Sequence, residues 1–329
     1  MSDKKKKNIA LLAGGYSGEY VVSVKSAAVV EGHLDTTKFN TYKIVVTTEG
    51  WTHEADGKRY EINKNDFSLT INRRKVRFDA VLMMIHGTPG EDGKLQGYFD
   101  MLNIPYTTCD AATSAITFNK RYTVATAAFG GVNVAKSELL FKQDYRKTDI
   151  QKLRHLNMPV FVKPNNGGSS IGMSKVNRFE DLEVAIEKAF GEDTQVLVEE
   201  FIKGREFTVG VFKTKGEIMV LPICEVVTKK EFFDYEAKYE GKSEELIPAP
   251  IDETQANILR SEARRIYEMF NCKGITRTDF IWNEADQKPY MLEINTVPGQ
   301  SQASIVPQMV RAMGWTMTEF YTRLVEEVI

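Results

Sequence analysis

The sequence predicts an α/β protein that is built from several lobes. Three observations support this: short apolar strands separated by a Gly-rich turn and a helix near the N-terminus, a length of 329 residues, and strands interleaved with helices over the second half. A chain of this length exceeds one small domain. We therefore expect a parallel α/β domain at 1–108, a central lobe at 109–198 and a C-terminal lobe at 199–329.

The N-terminal segment has the pattern of a strand, a Gly-rich turn and a helix. Residues 8–13 are apolar, and residues 21–34 are compatible with a helix. Apolar stretches at 42–46 and 80–85 predict two more strands of a parallel sheet. The polar, turn-rich segment 47–79 is interpreted as a small hairpin insertion at the edge of this sheet.

Two helices and several strands follow in the second half. Asn177, three residues before Glu180, predicts the cap of a helix that ends at Gly191. Asp252 with Gln255 predicts the start of a longer helix. Further strands are predicted at 160–163, 196–199, 206–212, 275–282 and 289–295.

Composition narrows the function classes. Lysine and arginine number 43 and aspartate and glutamate 45, so the net charge is −2, which gives no electrostatic reason to expect a nucleic acid or an anionic membrane as partner. The apolar run 80–85 is too short to span a bilayer, and Lys4–Lys7 resembles a solvated tail more than a signal peptide. Three scattered cysteines predict neither disulfides nor a zinc site. We expect a soluble, cytoplasmic protein.

The segment after the strand at 160–163 is a candidate phosphate-binding loop. The strand ends in Lys163 and opens into small residues that include Gly168, Ser169 and Ser170. Backbone N–H groups in such a loop approach phosphate oxygens, and the lysine adds a positive charge. A surface turn is the alternative, since Gly-rich loops are often only turns.

A pair of strands carries the residue types of a magnesium site. Period two places Arg277 and Asp279 on one face of the first strand, and Glu293 and Asn295 on one face of the second. The opposite face of the second strand is expected to hold Tyr290, Leu292 and Ile294. Few carboxylates with an amide oxygen suit Mg²⁺, which takes phosphate and water as further ligands. A solvated strand face with an arginine–carboxylate pair is the alternative.

Two loops complete the candidate site. The aromatic and charged segment 229–245 has no clear period and is interpreted as a lid. The segment 296–304 directly follows the second strand of the pair, and its backbone N–H groups are candidate oxyanion donors, with a Pro-Gly turn as the alternative.

Several motifs, in order along almost the whole chain, resemble the D-alanine–D-alanine ligases of the ATP-grasp superfamily. The motifs lie at 14–19, 86–93, 163–172, 206–209, 234–239 and 292–299. The resemblance implies an ATP-grasp fold preceded by an N-terminal Rossmann-like parallel α/β domain. It implies ATP-dependent joining of two D-alanines through D-alanyl phosphate for peptidoglycan precursors, with two Mg²⁺ ions (or Mn²⁺), in a homodimer.

The resemblance also implies roles for individual residues. ATP is expected to be bound by Lys120, Lys163, the loop residues Gly168, Ser169 and Ser170, Glu199, Glu200, Ile202 and Glu206. The metal ligands implied are Asp279, Glu293 and Asn295. Substrate is expected at Glu19, His86, Ser304 and Ile305, with catalytic roles for Glu19, Ser169, Lys238, Tyr239, Arg277 and Gly299.

The chain departs from the family pattern at a few positions, and two alternatives stay open. The departures are Tyr20, Val21, Asn119 and the segment 300–303, where an apolar residue usually follows the glycine. The last of these lies near the expected second-substrate pocket. The alternatives are a ligase that joins D-alanine to D-lactate or D-serine, and a non-catalytic ATP-binding module. The second predicts damaged metal or oxyanion positions, whereas Arg277 and the three metal ligands are all present.

Overall fold

The first part of the chain forms a seven-stranded sheet with the order β6-β5-β4-β3-β2-β1-β7. The computed structural model describes residues 5–167, 171–228 and 243–329. The strands are β1 (Lys7–Gly14), β2 (Phe39–Val46), β3 (Trp51–Ala55), β4 (Lys58–Asn63), β5 (Ser68–Ile71), β6 (Arg74–Val76) and β7 (Ala80–Met83). β1 pairs in parallel with β2 and with β7, which confirms the predicted parallel sheet. The insertion lies at the edge as predicted, but it is a four-stranded antiparallel extension.

Helix α1 (Tyr20–His33) is fixed against the ends of two parallel strands by one serine. The Ser23 hydroxyl accepts the Gly14 N–H at 2.8 Å and donates to the Met84 carbonyl at 2.6 Å. Gly14 itself has φ +95°, and a Cβ there would lie 2.5 Å from the Val46 carbonyl oxygen, so only glycine permits this close approach. The turn therefore places Glu19, the residue before α1, at the carboxyl edge of the sheet.

Short helices then lead to a four-stranded antiparallel sheet with the order β10-β9-β11-β8. The helices are α2 (Lys94–Leu102), α3 (Ala111–Phe118) and α4 (Lys120–Phe129). The strands are β8 (Ser137–Phe141), β9 (Val160–Pro164), β10 (Ser174–Val176) and β11 (Gln195–Glu200), with α5 (Leu182–Phe190) and the 3₁₀ segments Lys147–His155 and Phe179–Asp181. The boundary predicted after residue 198 falls inside β11, because its pairing with β9 continues to Glu200.

The predicted cap at Asn177 is wrong. The chain forms a 3₁₀ turn first, and α5 begins only at Leu182. Arg178 Nε and Nη2 both donate to the Asp181 carboxylate at 2.9 Å, and this ion pair closes the turn instead of an asparagine cap. The predicted end is correct, since the Gly191 N–H donates to the Glu187 carbonyl at 3.1 Å.

The third sheet has the order β15-β14-β12-β16-β17, with β13 paired to β12. Its strands are β12 (Gly204–Thr214), β13 (Glu217–Val220), β14 (Cys224–Thr228), β15 (Ser243–Leu246), β16 (Thr276–Asn283) and β17 (Lys288–Asn295). The last residues of the predicted lid, 243–245, thus belong to β15. Helices α6 (Glu253–Met269), α7 (Ile305–Ala312) and α8 (Met317–Glu326) complete the chain. Asp252 accepts the Gln255 N–H at 2.8 Å, which confirms the predicted start of α6.

The buried apolar residues form separate clusters. One cluster joins the first sheet to the third sheet and to the C-terminal helices, and it includes Leu11, Phe212 and Phe320. A second cluster lies between the central sheet, α5 and the 3₁₀ segment Lys147–His155, and it includes Val162 and Ile186. No helix in the described ranges combines the length and the apolar composition that crossing a membrane requires.

Candidate active site

A cavity of about 360 Å³ lies where the first sheet, α4 and the third sheet meet. Its walls include the start of α1, the loop after β7, the polar face of β16 and β17, and the loop before α7. Eleven predicted site residues line it: Glu19, His86, Lys120, Glu206, Arg277, Asp279, Glu293, Asn295, Gly299, Ser304 and Ile305. Residues that are up to 286 positions apart in sequence (19 to 305) therefore line the same cavity.

The hairpin of β16 and β17 supplies the polar wall. Its register pairs Arg277 with Asn295 and Asp279 with Glu293, so the predicted common face is confirmed. The register then shifts at a β-bulge, and Phe280 pairs with Met291. The bulge inserts a residue into β17, so side chains before and after it no longer follow one simple alternation.

The apolar face predicted for β17 is wrong at two positions for this reason. Met291 and Ile294 are the residues of β17 in the core, each 4% exposed. Leu292 lines the cavity, and the Tyr290 hydroxyl donates to Asp286 at 2.8 Å. Strict period two cannot reveal an inserted residue.

Asp279 is the centre of the polar wall. Arg277 donates to it twice, from Nε at 2.9 Å and from Nη2 at 2.8 Å. The Thr208 hydroxyl donates at 2.5 Å and the Asn295 amide nitrogen at 3.3 Å. Burial disfavours the charge of Arg277, but Asp279 and Glu293 outweigh it and raise the pKa of Arg277 above its ordinary value. The arginine is therefore a permanent cation at the wall of the cavity.

The cavity carries an excess of acidic side chains. Among the described residues its walls hold the six carboxylates of Glu19, Glu91, Glu206, Glu245, Asp279 and Glu293, against the three cations Lys25, Lys120 and Arg277. Within the described ranges, no group of three or more His, Cys, Asp or Glu side chains is arranged so that it could hold a metal ion. An acidic cavity of this kind favours a ligand that is bound together with cations, such as a metal-bound polyphosphate.

His86 links the first sheet to the loop before α7. Its Nδ1 lies 2.7 Å from the Val297 carbonyl, and its Nε2 lies 3.1 Å from the Ser26 hydroxyl. Since a carbonyl only accepts, Nδ1 carries the proton. Burial lowers the pKa of His86, so the ring is neutral and Nε2 is the acceptor. Both ring nitrogens thus have partners in the protein.

Glu91 is a site residue that the sequence motif contained but for which no role was predicted. Its carboxylate accepts the N–H of Gly87 at 3.0 Å and of Val297 at 3.3 Å. Burial, followed by the charge of Glu19, raises the pKa of Glu91 to about 7. In the sequence, Glu91 is visible only as an acidic residue within the Gly-rich segment 86–93, and this pattern does not indicate that the side chain is buried.

Four residues predicted to bind nucleotide lie outside the cavity wall. Lys163 Nζ forms an ion pair with Glu199 Oε1 at 2.5 Å, and both side chains are about nine-tenths buried, at 11% and 9% exposed. Glu200 accepts the N–H and the side-chain amide of Asn157 at 2.8 and 3.0 Å. Ile202 is partly exposed in the segment after β11.

Lys120 begins α4 and reaches the end of the candidate phosphate loop. Its Nζ donates to the Gly167 carbonyl at 2.7 Å. Asn119, one of the departures from the family pattern, accepts the Tyr122 N–H at 3.3 Å and so caps α4 as an aspartate would. Five predicted site residues lie outside the described ranges: Gly168, Ser169, Ser170, Lys238 and Tyr239.

Known proteins share this arrangement of sheets over the whole chain. The solved structure of VanG D-Ala:D-Ser ligase from Enterococcus faecalis has a TM-score of 0.87 and 30% identity, over 98% of this chain and 99% of that one. D-alanyl-alanine synthetase A from Vibrio cholerae also has a TM-score of 0.87, with 29% identity, over 99% of each chain. The protein is thus an α/β protein of the ATP-grasp class, as the resemblance predicted.

The sequence comparisons identify the family within this class. Family models described as the D-ala D-ala ligase N-terminus and C-terminus match residues 8–109 and 126–326. A D-alanine–D-alanine ligase from Flavobacterium johnsoniae is 44% identical over 321 residues, which cover 97% of this chain and 98% of that protein. The chain belongs to the D-alanine–D-alanine ligase family.

Proposed function

We propose that this protein is an ATP-dependent ligase that joins two D-alanine molecules into D-alanyl-D-alanine for peptidoglycan precursors. The observation that carries the proposal is the single acidic cavity in which Glu19 and His86 of the first domain meet Arg277 and Asp279 of the third sheet. Family membership over nearly the full length supports it. An intact Arg277–Asp279 wall argues against a non-catalytic module.

The first step activates a carboxylate, which by itself is a poor electrophile. An oxygen of the D-alanine carboxylate attacks the γ-phosphorus of ATP, the bond to the β-phosphate bridge breaks, and ADP leaves with that electron pair. The product is D-alanyl phosphate. In this proposal Glu19 binds the ammonium group of the first D-alanine. Lys120 and Lys163 bind phosphates, and Glu206 binds the ribose.

The donor set on β16 and β17 fits Mg²⁺, with Mn²⁺ as an alternative. Asp279, Glu293 and Asn295 offer oxygen atoms, and two carboxylates with phosphate and water suit a hard octahedral ion. When bound, two such ions would neutralise charge on the transferred phosphoryl group. The Asp279 carboxylate already accepts four hydrogen bonds, so it must give up one of them to bind a metal ion. Asn295 uses its amide nitrogen for one of these bonds, and its carbonyl oxygen remains available as a metal ligand.

The second step forms the peptide bond. The amine nitrogen of the second D-alanine attacks the carbonyl carbon, and the carbonyl oxygen becomes an oxyanion. The bond to the phosphate oxygen then breaks, phosphate leaves with its electrons, and the amine proton passes to water. In this proposal Arg277 and the Gly299 N–H stabilise the oxyanion. His86, Ser304 and Ile305 surround the second substrate.

Other assignments stay proposals that rest on the resemblance. They include the loop of Gly168, Ser169 and Ser170 on phosphates, Glu199, Glu200 and Ile202 near the adenine, and Lys238 and Tyr239 on a lid over the site. A cytoplasmic homodimer is proposed on the same ground. Light scattering of the purified protein tests the dimer: a mass near twice 37.3 kDa is expected, and a mass equal to one chain would contradict it.

One assay tests the function and its nearest alternative. The protein is incubated with ATP, Mg²⁺ and D-alanine, and dipeptide and phosphate are measured. We expect one phosphate per dipeptide and no product when a chelator replaces Mg²⁺. Parallel reactions add D-serine or D-lactate, because one structural relative is named a D-Ala:D-Ser ligase and segment 300–303 departs from the family pattern. A mixed product that exceeds D-alanyl-D-alanine would favour that alternative, and ATP binding without any ligation would contradict the proposal.

A further inference from the structure

The residue after Gly299 is a glutamine whose side chain connects the loop before α7 to the C-terminal helix. Gln300 is completely buried, as is Tyr321 on α8. The Tyr321 hydroxyl donates to Gln300 Oε1 at 3.1 Å, and Gln300 Nε2 donates to the Pro298 carbonyl at 3.1 Å. The glutamine amide thus forms hydrogen bonds on both sides, to the helix and to its own loop.

The backbone of the same residue connects the loop to the first domain. The Gln300 N–H donates to the Ser26 hydroxyl at 3.1 Å, and Ser26 is a fully buried residue of α1. Because His86 carries its proton on Nδ1, the Ser26 hydroxyl donates to His86 Nε2, and His86 donates to the Val297 carbonyl. With the neutral ring, each of these hydrogen bonds has a defined donor and acceptor.

These contacts surround the peptide group of Gly299. The carbonyls of Val297 and Pro298 and the N–H of Gln300 all have partners, and the Val297 N–H donates to Glu91. Within the described part of the chain the Gly299 N–H has no hydrogen-bond partner. The Pro298 carbonyl and the Gly299 N–H belong to one planar peptide, so the hydrogen bond from Gln300 Nε2 to the carbonyl restrains the direction of the N–H. Gly299 lines the cavity.

A buried glutamine is an unusual choice for packing alone. Burying an amide is unfavourable unless its hydrogen bonds are made, and an apolar side chain of similar size would fill the same space without that requirement. Packing alone therefore does not account for the buried amide of Gln300.

We propose that Gln300, together with Tyr321, is a positioning residue that holds the Gly299 N–H toward the cavity, where it meets the oxyanion formed as the second amine attacks. The inference rests on the proposed ligase function. It adds to that function a pair of residues, one of them on the C-terminal helix, neither of which lines the cavity. A donor fixed before the reaction stabilises the developing charge more effectively than one that must first reorient.

The test compares Gln300→Leu, Tyr321→Phe and the double variant with the parent protein. For each we measure kcat, KM for ATP, phosphate released per dipeptide, and the midpoint of denaturation. Gln300→Leu is expected to lower kcat about tenfold to a hundredfold, to leave KM for ATP within twofold, and to raise phosphate per dipeptide above one. Tyr321→Phe, which removes only one hydroxyl, is expected to lower kcat about threefold to tenfold.

The double variant separates positioning from stability. It removes both members of the Gln300–Tyr321 pair and leaves neither buried and unsatisfied, so its denaturation midpoint is expected to recover toward that of the parent. The inference requires that kcat stay low, since Pro298 still lacks its donor. Recovery of kcat together with the midpoint would overturn it, as would a kcat for Gln300→Leu within twofold of the parent.

A second buried tyrosine provides a matched control. The Tyr267 hydroxyl donates to the Gly274 carbonyl at 2.9 Å in a part of α6 that does not line the cavity. Tyr267→Phe is expected to lower the denaturation midpoint as Tyr321→Phe does, with kcat unchanged. If the parent itself makes no dipeptide or mixed product, the proposed function fails. If the parent is active and the variants match it, only this inference fails.

Discussion

Arg277 and Asp279 form a bidentate pair inside the cavity, and the same sheet contains a second pair that is outside it. Arg205 Nε and Nη2 donate to the Glu225 carboxylate at 2.7 and 2.8 Å, and neither residue lines the cavity. The planar guanidinium matches a carboxylate in a way that a lysine ammonium does not. The two pairs therefore allow the contribution of this geometry to stability to be separated from its contribution to catalysis.

We expect Arg277→Lys and Arg205→Lys to lower the free energy of unfolding by similar amounts, about 1 to 3 kcal/mol, because each loses a charge-assisted bidentate contact. Only Arg277→Lys is expected to lower kcat, by about a hundredfold or more, because Arg277 is the oxyanion donor in the proposed mechanism. Denaturant titrations and steady-state kinetics check both. Equal losses of kcat in the two variants would show that stability alone is responsible.

Glu91 gives the cavity a pH dependence whose sign can be worked out. Burial and the charge of Glu19 raise its pKa from 4.5 to about 7, Glu293 adds to this, and the Gly87 and Val297 N–H groups act in the opposite direction. The folded protein thus holds this proton more tightly than the unfolded chain does. Its contribution to stability is fully present below about pH 4.5 and is lost as the pH rises through about 7.

Glu91→Gln is expected to remove this dependence. Without nucleotide or divalent ions, the free energy of unfolding of the parent should fall, relative to the variant, by about 2.5 kcal/mol between pH 5 and pH 8. Chemical denaturation at several pH values measures the difference. Glu49→Gln, at an exposed turn, is the control and should follow the parent. A constant difference between parent and Glu91→Gln would contradict the assignment.

At the scale of elements, the sequence predicted what periodicity and turn residues encode. It located β1, the parallel neighbours and the polar face of the β16–β17 hairpin, because each depends on local patterns. It missed the bulge that brings Leu292 into the cavity, since an inserted residue leaves no mark in a two-residue period. It also missed the contacts of Gln300 and the Lys163–Glu199 pair, which depend on how distant segments approach one another.

The two predicted caps provide a direct test of this distinction. Asp252 accepts a backbone N–H at the start of α6, whereas Asn177 lies before a turn that an ion pair closes. Asp252→Ala is expected to lower the free energy of unfolding by about 1 kcal/mol, and Asn177→Ala by only a few tenths of this. Thermal and denaturant unfolding measure both. If Asn177→Ala lowered the free energy of unfolding as much as Asp252→Ala does, Asn177 would be a helix cap after all.

At the scale of the whole molecule, one cluster of buried residues connects distant parts of the chain, whereas another is confined to its central part. The first sheet and the third sheet share one cluster through α1, α7 and α8, although they are far apart in sequence. The central sheet and α5 have a cluster of their own. A further cluster contains the buried apolar residues of β16 and β17 together with α6 and Val132, and β12 contributes to both this cluster and the shared one. The central sheet and α5 are therefore expected to form a separate cooperative unit.

The separate clusters predict which segments lose protection from amide hydrogen exchange when a buried residue is replaced. Ile186, on α5, belongs to the central cluster, and Phe320, on α8, belongs to the shared one; both are fully buried. Replacing either by alanine is expected to lower local stability by about 2 to 5 kcal/mol. For Ile186→Ala, amide hydrogen exchange should rise in residues 137–200 and stay unchanged in β1 and β16. For Phe320→Ala, exchange should rise in β1 and β12 together.

The conservative variant Ile186→Val provides the matched control, with a smaller rise confined to the same segment and a stability loss of about 1 kcal/mol. Because the buried apolar residues of β16 and β17 belong to a different cluster from Ile186, Ile186→Ala should retain the Arg277–Asp279 geometry even when the central sheet and α5 open. Slow exchange at Arg277 and its neighbours in this variant would reflect that geometry. If exchange rose equally in the central lobe and in β16, the chain would unfold as one unit, and the separate clusters would have no consequence for its dynamics.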